Sequence, residues 1–197
     1  IRELFIFLKK ENLKFKSLSR KLSSIKCFYQ FLKAENYIKD NPLDNMDGFK
    51  NEKTLPSALT EHEMLLLLEK ARKNFHNVKN KTLRSLRTLT ILEILYSTGM
   101  RITELLSLPL SDFINIKDKL QIKGKGGVYR VVVFNTESKT IINSWVKYRA
   151  LEVNFAKNRF IFPTQNGIGA ISRQIIYKDL VDLSSSIGFG KKSVSPH

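Results

Sequence analysis

Arg101 is the residue best placed for a catalytic or binding role, because it directly follows a predicted helix end. Gly99 can adopt the left-handed conformation that closes a helix, and Pro109 ends the short helix that follows. A guanidinium on such a rigid corner can bind a phosphate through two parallel hydrogen bonds. Glu104 lies on the same helical face at i+3 and can hold the arginine side chain. By itself, such a pair is more often a structural salt bridge than a binding site.

Lys125 and His197 are two further candidates, and neither is informative alone. Lys125 lies in the glycine-rich segment 124–127, which lacks the spacing of a Walker phosphate-binding loop, and a lysine at a hairpin tip is usually only solvated. His197 is the last residue of the chain. The three histidines and one cysteine are widely spaced, so the sequence predicts no metal site and no cofactor.

The elements that position these residues are mainly helical, with one small antiparallel sheet. Thr60 and Glu63 form a capping box that opens a helix to about Asn74. A second helix, 82–97, is apolar around nearly its whole circumference, which predicts a central, buried position. Ser111 is predicted to cap the segment after the corner. The residues expected to bury the first of these helices are Met64, Leu65, Leu67 and Leu68.

The spacing of apolar residues then changes from that typical of a helix to that typical of a strand. Residues 119–122 alternate and residues 129–134 are β-branched and aromatic, which predicts a hairpin around the glycine-rich segment. Thr136 is predicted to cap a helix to about Glu152, and 160–163 is predicted to be a short strand or turn. Ser172 is predicted to cap a last helix with an apolar stripe, which contains Ile176, Leu180, Leu183 and Ile187.

Two short helical segments precede these elements. Residues 3–11 predict an apolar helix and residues 17–36 an amphipathic one. Residues 47–56 contain turn-forming and charged residues and predict a linker between units 1–46 and 57–197.

The composition favours a polyanionic partner. The 197 residues include 34 Lys and Arg against 18 Asp and Glu, a net charge of +16. A solvated basic surface is the alternative. No apolar run is long enough to span a membrane, and the single cysteine fits a reducing compartment, so we expect a cytoplasmic protein without membrane contact.

The stretch Thr98-Gly99-Met100-Arg101-Ile102-Thr103-Glu104-Leu105-Leu106-Ser107-Leu108, followed by Ser111-Asp112, resembles the signature of the tyrosine site-specific recombinases, or phage-integrase family. In that family the arginine of this turn is the first catalytic arginine. Gly124-Lys125-Gly126 resembles the hairpin whose lysine enters the cleaved site, and it follows Arg101 at a similar spacing. Arg130 matches another common basic position, whereas Val128 departs from a frequent second lysine. Ser195-Pro196-His197 resembles the start of the His-x-x-Arg box, whose histidine binds the scissile phosphate.

The resemblance implies a Xer-like recombinase or a phage-type integrase. Residues 1–46 would be part of a helical core-binding (SAM-like) domain, and 57–197 part of the catalytic domain. It implies DNA cleavage through a 3′-phosphotyrosyl link, with a double-stranded DNA target site and further protomers in a tetrameric synapse as partners. The basic or polar side chains expected to contact DNA are Arg20, Lys26, Arg130, Arg173, Gln174 and Lys178.

We expect this chain to be a piece of a longer protein, because it begins with Ile and ends at His197, where the family's box begins. None of its six tyrosines matches the family's nucleophile, so we do not expect the 197-residue chain to be active alone. Two other classes remain open: an integrase remnant that binds DNA without cutting it, and a basic helical RNA-binding protein. The sequence does not choose between chromosome-dimer resolution and element mobility.

Overall fold

The computed structural model describes residues 3, 15–44, 59–77 and 82–189, with the backbone only for Phe15, Lys16 and Lys125. It divides into two compact units, Ile1–Pro56 and Ser57–His197. The described residues are mostly helical with one two-stranded antiparallel sheet, which confirms the predicted fold class. The helix predicted at 3–11 and the linker predicted at 47–56 lie outside the described residues, apart from residue 3.

The first unit contains helix α1, Phe15–Ala34, which agrees with the amphipathic helix predicted at 17–36. Leu22 packs against Leu43 beyond the helix end, with Ile25 and Tyr29 around them. The side chain of Asn41 accepts a hydrogen bond from the backbone N–H of Leu43 at 3.0 Å, which turns the chain back onto the helix.

Two helices precede the Arg101 corner and a short third helix follows it. Helix α2, Glu61–His76, begins at a complete Thr60–Glu63 capping box, as predicted. Helix α3, Leu83–Thr98, is capped by Thr82. It ends at Gly99, whose φ of 59° and ψ of 21° are left-handed, as predicted. The short helix α4, Ile102–Ser107, follows immediately.

Helix α3 is the centre of the second unit, because it is buried over most of its length and packs against α2 and α5. Helix α5 spans Thr136–Ala150 and contributes the buried Trp145. Leu67 and Leu68 of α2 are buried as predicted, but the prediction for Leu65 was wrong, because its side chain is exposed. Four consecutive leucines cover more than one face of a helix, so only some of them can reach the core.

Strands β1, Lys119–Lys123, and β2, Tyr129–Val133, form the predicted hairpin. The backbone N–H of Gly124 donates to the carbonyl of Val128 at 2.8 Å and closes the tip. Gly126 and Gly127 have φ values of 79° and 82°, which side chains with a Cβ rarely adopt. The glycine-rich composition therefore follows from the geometry of the turn.

Two predicted helix caps were wrong. Helix α5 is capped by Asn135 rather than Thr136, because the Asn135 side chain accepts from the backbone N–H of Ser138 at 2.8 Å. Ser111 lies inside the short 3-10 turn Leu110–Asp112 and caps nothing. The backbone N–H of Leu110 donates to the carbonyl of Arg159 at 2.7 Å, which ties this segment to another loop.

The last described elements are a 3-10 turn, Val153–Phe155, and helix α6, Arg173–Ser185. Phe160 and Pro163 make isolated bridges to Pro109 and Ala170, in the segment predicted as a short strand or turn. Ser172 caps α6 as predicted.

Candidate phosphate-binding site

Arg101 is held at the start of α4 by Glu104. One Glu104 oxygen, Oε2, accepts from the backbone N–H of Arg101 at 2.7 Å, and Oε1 accepts from its Nη1 at 2.9 Å. The carboxylate thus fixes both the backbone and the side chain of the arginine. The Arg101 side chain nevertheless remains 55% exposed, so it is accessible to a ligand from solvent.

Arg130 reaches the same carboxylate from the hairpin. It pairs with Ile122 across the two strands and lies on the face of the hairpin that is turned toward the protein. Its Nη2 donates to Glu104 Oε2 at 2.8 Å. Gly124 also lies close, since a Cβ added there would stand 3.8 Å from Glu104 Oε1. Glu104 is therefore the point where the Arg101 corner and the hairpin meet.

The Glu104 carboxylate stays ionised at neutral pH. Its side chain is only 9% exposed, and this burial by itself raises the pKa. The hydrogen bonds from the Arg101 backbone and from the Arg130 and Arg101 side chains outweigh burial, so the pKa is lowered overall. Two guanidinium groups share this one carboxylate, which leaves one positive charge uncompensated within the cluster.

Two open cavities lie at this cluster. One, of about 510 Å³, is lined by Gly99, Met100, Arg101 and Arg130. The other, of about 320 Å³, has Arg101 in its lining together with Thr103, Glu104, Ser107, Lys123 and Gly124. Arg101 lines both cavities, and the surplus charge favours an anion such as a phosphate there.

The structure brings Arg101, Glu104 and Arg130 together, and it places the backbone of Lys125 immediately after Gly124. The side chain of Lys125 and the whole of His197 lie outside the described part of the structure. Whether all three predicted catalytic side chains converge therefore stays a prediction.

The other residues predicted to bind DNA lie on helices. Arg20 is exposed and Lys26 half-buried on α1, in the first unit. In the second unit, Arg173, Gln174 and Lys178 are exposed in the first turns of α6. Their exposure is compatible with the prediction, and DNA contact by these residues stays a prediction.

Sequence reasoning missed a second ionic cluster, in which α3 holds α6. Arg84 Nε and Arg87 Nη2 each donate at 2.7 Å to Asp179, and Arg84 Nη2 donates at 2.5 Å to Asp182. The signal was available, because Asp179 precedes Leu180 within the apolar stripe of α6, and a carboxylate in a buried stripe normally has an ionic partner. A cavity of about 450 Å³ opens beside this cluster.

Among the described residues, no group of three or more His, Cys, Asp or Glu side chains is arranged to hold a metal ion. Within the same ranges, no helix has the length and apolar character needed to cross a membrane.

Comparison with known proteins identifies the family. The sequence profile of the phage integrase family matches residues 57–197. Tyrosine recombinase XerD of Rickettsia prowazekii (strain Madrid E) is 31% identical over 207 residues, covering 100% of this chain and 65% of the relative. This chain therefore spans less than two thirds of the length of that relative.

Two solved structures share the fold. The XerH site-specific recombinase bound to palindromic difH substrate, in a post-cleavage complex, superposes with a TM-score of 0.76 and 24% identity, over 99% of this chain and 57% of XerH. An integrase chain from the structure of a lambda integrase tetramer bound to a Holliday junction also superposes on this chain. The TM-score is 0.62 at 17% identity, over 94% of this chain and 52% of the integrase chain.

These findings confirm the predicted resemblance and do not favour an unrelated RNA-binding protein. The Arg101 corner, the hairpin and the helices around them all fall within the matched region. On this sequence and structural evidence, the chain belongs to the phage integrase family, which includes the XerD tyrosine recombinases.

Proposed function

We propose that this chain is part of a Xer-like tyrosine recombinase that breaks and rejoins DNA at a specific site. The observation that carries the proposal is the Arg101 guanidinium, oriented by Glu104 yet 55% exposed, at two cavities with an uncompensated positive charge. A fixed donor of this kind stabilises the charge that develops on a phosphate during displacement, because it is already oriented before the reaction. Family membership supports the same reaction.

In the proposed cleavage step, a tyrosine hydroxyl loses its proton to solvent and its oxygen attacks a DNA phosphate, while the bond from phosphorus to the 5′-oxygen breaks. Arg101 and His197 donate hydrogen bonds to the phosphate oxygens. Lys125, on the hairpin tip, gives a proton to the leaving 5′-oxygen as general acid. Rejoining reverses the step, with a 5′-hydroxyl attacking the phosphotyrosine, so the bond energy is retained.

The proposed substrate is double-stranded DNA, and further protomers act with the chain on it. The XerH and lambda integrase structures hold recombinases on DNA, in the latter case as a tetramer, which supports this proposal. We assign DNA contacts to Arg20 and Lys26 in the proposed core-binding unit, residues 1–46. In the proposed catalytic unit, residues 57–197, the assigned contacts are Arg173, Gln174 and Lys178. The proposed location is the cytoplasm, together with the proposed DNA substrate.

The test begins with the target site, which is selected by rounds of binding and amplification from a pool of random duplexes. The protein produced from the complete gene is then incubated with the selected duplex carrying a nick near its centre, and the products are run on a denaturing gel. We expect a covalent protein–DNA band that disappears in the Arg101→Ala variant, although that variant still binds the duplex. Sequence-selective binding without any covalent band would identify a DNA-binding remnant, and no selectivity would reject the proposal.

A further inference from the structure

Arg130 was predicted to contact DNA, but its geometry indicates a different use. Arg130 lies on the protein-facing side of β2 and its side chain is 39% exposed. Its Nη2 is 2.8 Å from Glu104 Oε2, the same oxygen that accepts from the backbone N–H of Arg101. Because Nη2 of Arg130 is engaged by the Glu104 carboxylate, this side chain links the hairpin to the Arg101 corner.

We propose that Arg130 is a positioning residue that joins the hairpin carrying Lys125 to the corner carrying Arg101, with Glu104 as the connecting group. The inference rests on the proposed function and concerns how Lys125 and Arg101 keep their positions relative to each other. The Arg130–Glu104 pair is termed the Arg130 latch.

The hairpin has few other means of fixing its tip. It consists of two strands of five residues each, and three of the five residues in each strand are exposed. Ile122 and Val132 anchor its inner face to the core. Arg130 lies directly opposite Ile122, in the cross-strand pair nearest the tip whose side chains face the protein. Among the described residues, the latch and the buried Ile122 opposite it are therefore the inner-face side-chain contacts nearest the tip.

The tip itself transmits this attachment to Lys125. The Gly124 N–H donates to the Val128 carbonyl at 2.8 Å, and the Gly127 N–H donates to the Gly124 carbonyl at 3.2 Å. These two bonds close a small ring of backbone around Lys125. Gly124 also lies close to Glu104, so the Lys125 backbone directly follows a residue beside the carboxylate that fixes Arg101.

The latch also explains why one buried carboxylate receives two arginines. Arg101 alone would satisfy Glu104, and the second guanidinium adds a positive charge that burial makes costly to bring close. That cost is offset if the contact has a second use, which is to hold the hairpin. Loss of Arg130 should leave Arg101 in place and release the tip.

The first experiment measures the tip directly and needs no catalysis. In the 197-residue chain carrying Cys27→Ser, spin labels are attached to cysteines at Lys125 and at Lys147 on α5, and the distribution of distances between them is measured. We expect one narrow distribution, a clearly broader one with Arg130→Met, and a partial return with Arg130→Lys, which keeps the charge. Lys119→Met removes a charge from the outer face of the same hairpin and should change nothing.

Near-ultraviolet circular dichroism and Trp145 fluorescence show whether each variant is folded. If Arg130→Met does not fold, Arg130→Lys alone decides. The compact ammonium group of lysine does not reproduce the planar guanidinium of arginine, so this variant should still broaden the distribution of distances. An unchanged distribution in a folded variant overturns the proposal.

The second experiment links the latch to the reaction, in the protein produced from the complete gene. Arg130→Met should slow cleavage by about tenfold or more, as a misplaced general acid does. A substrate with sulfur in place of the 5′-leaving oxygen should restore the rate, because a thiolate leaves without a proton. The salt dependence of DNA binding should not change.

If Arg130 binds a phosphate instead, the slope of log affinity against log salt should fall by about 1 and the sulfur substrate should not restore cleavage. That result overturns the proposal. If the unsubstituted protein does not cleave DNA, the proposed function fails, and the distance measurement still decides whether the latch exists.

Discussion

The second unit contains two clusters built on the same plan, a carboxylate with little exposure held by two arginines. In the Glu104 cluster, Arg101 and Arg130 share one carboxylate, and Arg101 faces open cavities. In the Asp179 cluster, Arg84 and Arg87 share Asp179, and Arg84 also binds Asp182. The first cluster has one positive charge more than its carboxylate neutralises, whereas in the second the charges balance.

This difference separates a site that can bind an anion from an internal brace. Asp179 is 4% exposed and its arginines come from α3, so the cluster ties α6 to the central helix. Glu104 instead orients a guanidinium that remains available to a ligand. A buried ion pair is therefore informative about function when its charges do not cancel, and much less so when they do.

The largest expected effect is on catalysis. In the protein produced from the complete gene, Arg101→Ala should lower the rate of DNA cleavage by about 10²–10³-fold, because an oriented donor to the transition state is lost. Arg84→Ala is the matched control and should leave the cleavage rate of the folded protein unchanged. Single-turnover cleavage of a nicked duplex measures both. Equal losses in the two variants would remove the distinction between the clusters.

The next largest effect is on stability, for which the Asp179 cluster should matter more than the Glu104 cluster. Asp179→Ala leaves Arg87 buried without its carboxylate and should lower the free energy of unfolding by about 3 kcal/mol. Glu104→Ala should cost only about 1 kcal/mol, since water can solvate the half-exposed Arg101 and Arg130. Urea denaturation followed by Trp145 fluorescence compares them. A larger loss for Glu104→Ala would make Glu104 the structural brace.

A smaller effect is expected in DNA binding. Arg101→Ala should lower the slope of log affinity against log salt by about 1, as expected for the loss of one phosphate contact, with only a modest loss of affinity. Arg84→Ala should leave the slope unchanged, because its charge is neutralised within the protein. Fluorescence anisotropy with a labelled duplex at several salt concentrations gives both slopes. A change with Arg84→Ala would show that its cluster also meets DNA.

The smallest effect concerns pH. The pKa of Glu104 is lowered in the folded chain, so its ionised form contributes stability above the unfolded pKa of about 4.3. This contribution is lost as the pH falls below that value and through the lower folded pKa. Glu104→Gln should therefore flatten the loss of stability below about pH 4, relative to the unsubstituted chain. Urea denaturation at several pH values tests this, and identical pH profiles would contradict it.

The sequence was sufficient for features that depend on neighbours along the chain. The capping box at Thr60, the left-handed Gly99, the hairpin and the Arg101–Glu104 pair all involve residues within a few positions of each other. Local hydrogen bonds and steric limits decide such features, so residue types and spacing predict them. The same is true of the family motif around Arg101, which lies in the continuous stretch 98–112.

Only the tertiary structure decided which side chains meet across the fold. Arg130 joins Glu104 from 26 residues away, and Arg84 joins Asp179 from 95 residues away. The alternation of a strand predicts two faces but not which face is turned toward Glu104, and packing of Ile122 and Val132 against the core makes that choice. The sequence by itself thus determined the Arg101 corner and its family, whereas the fold decided that its carboxylate also holds the hairpin, because long-range ion pairs depend on how the elements pack.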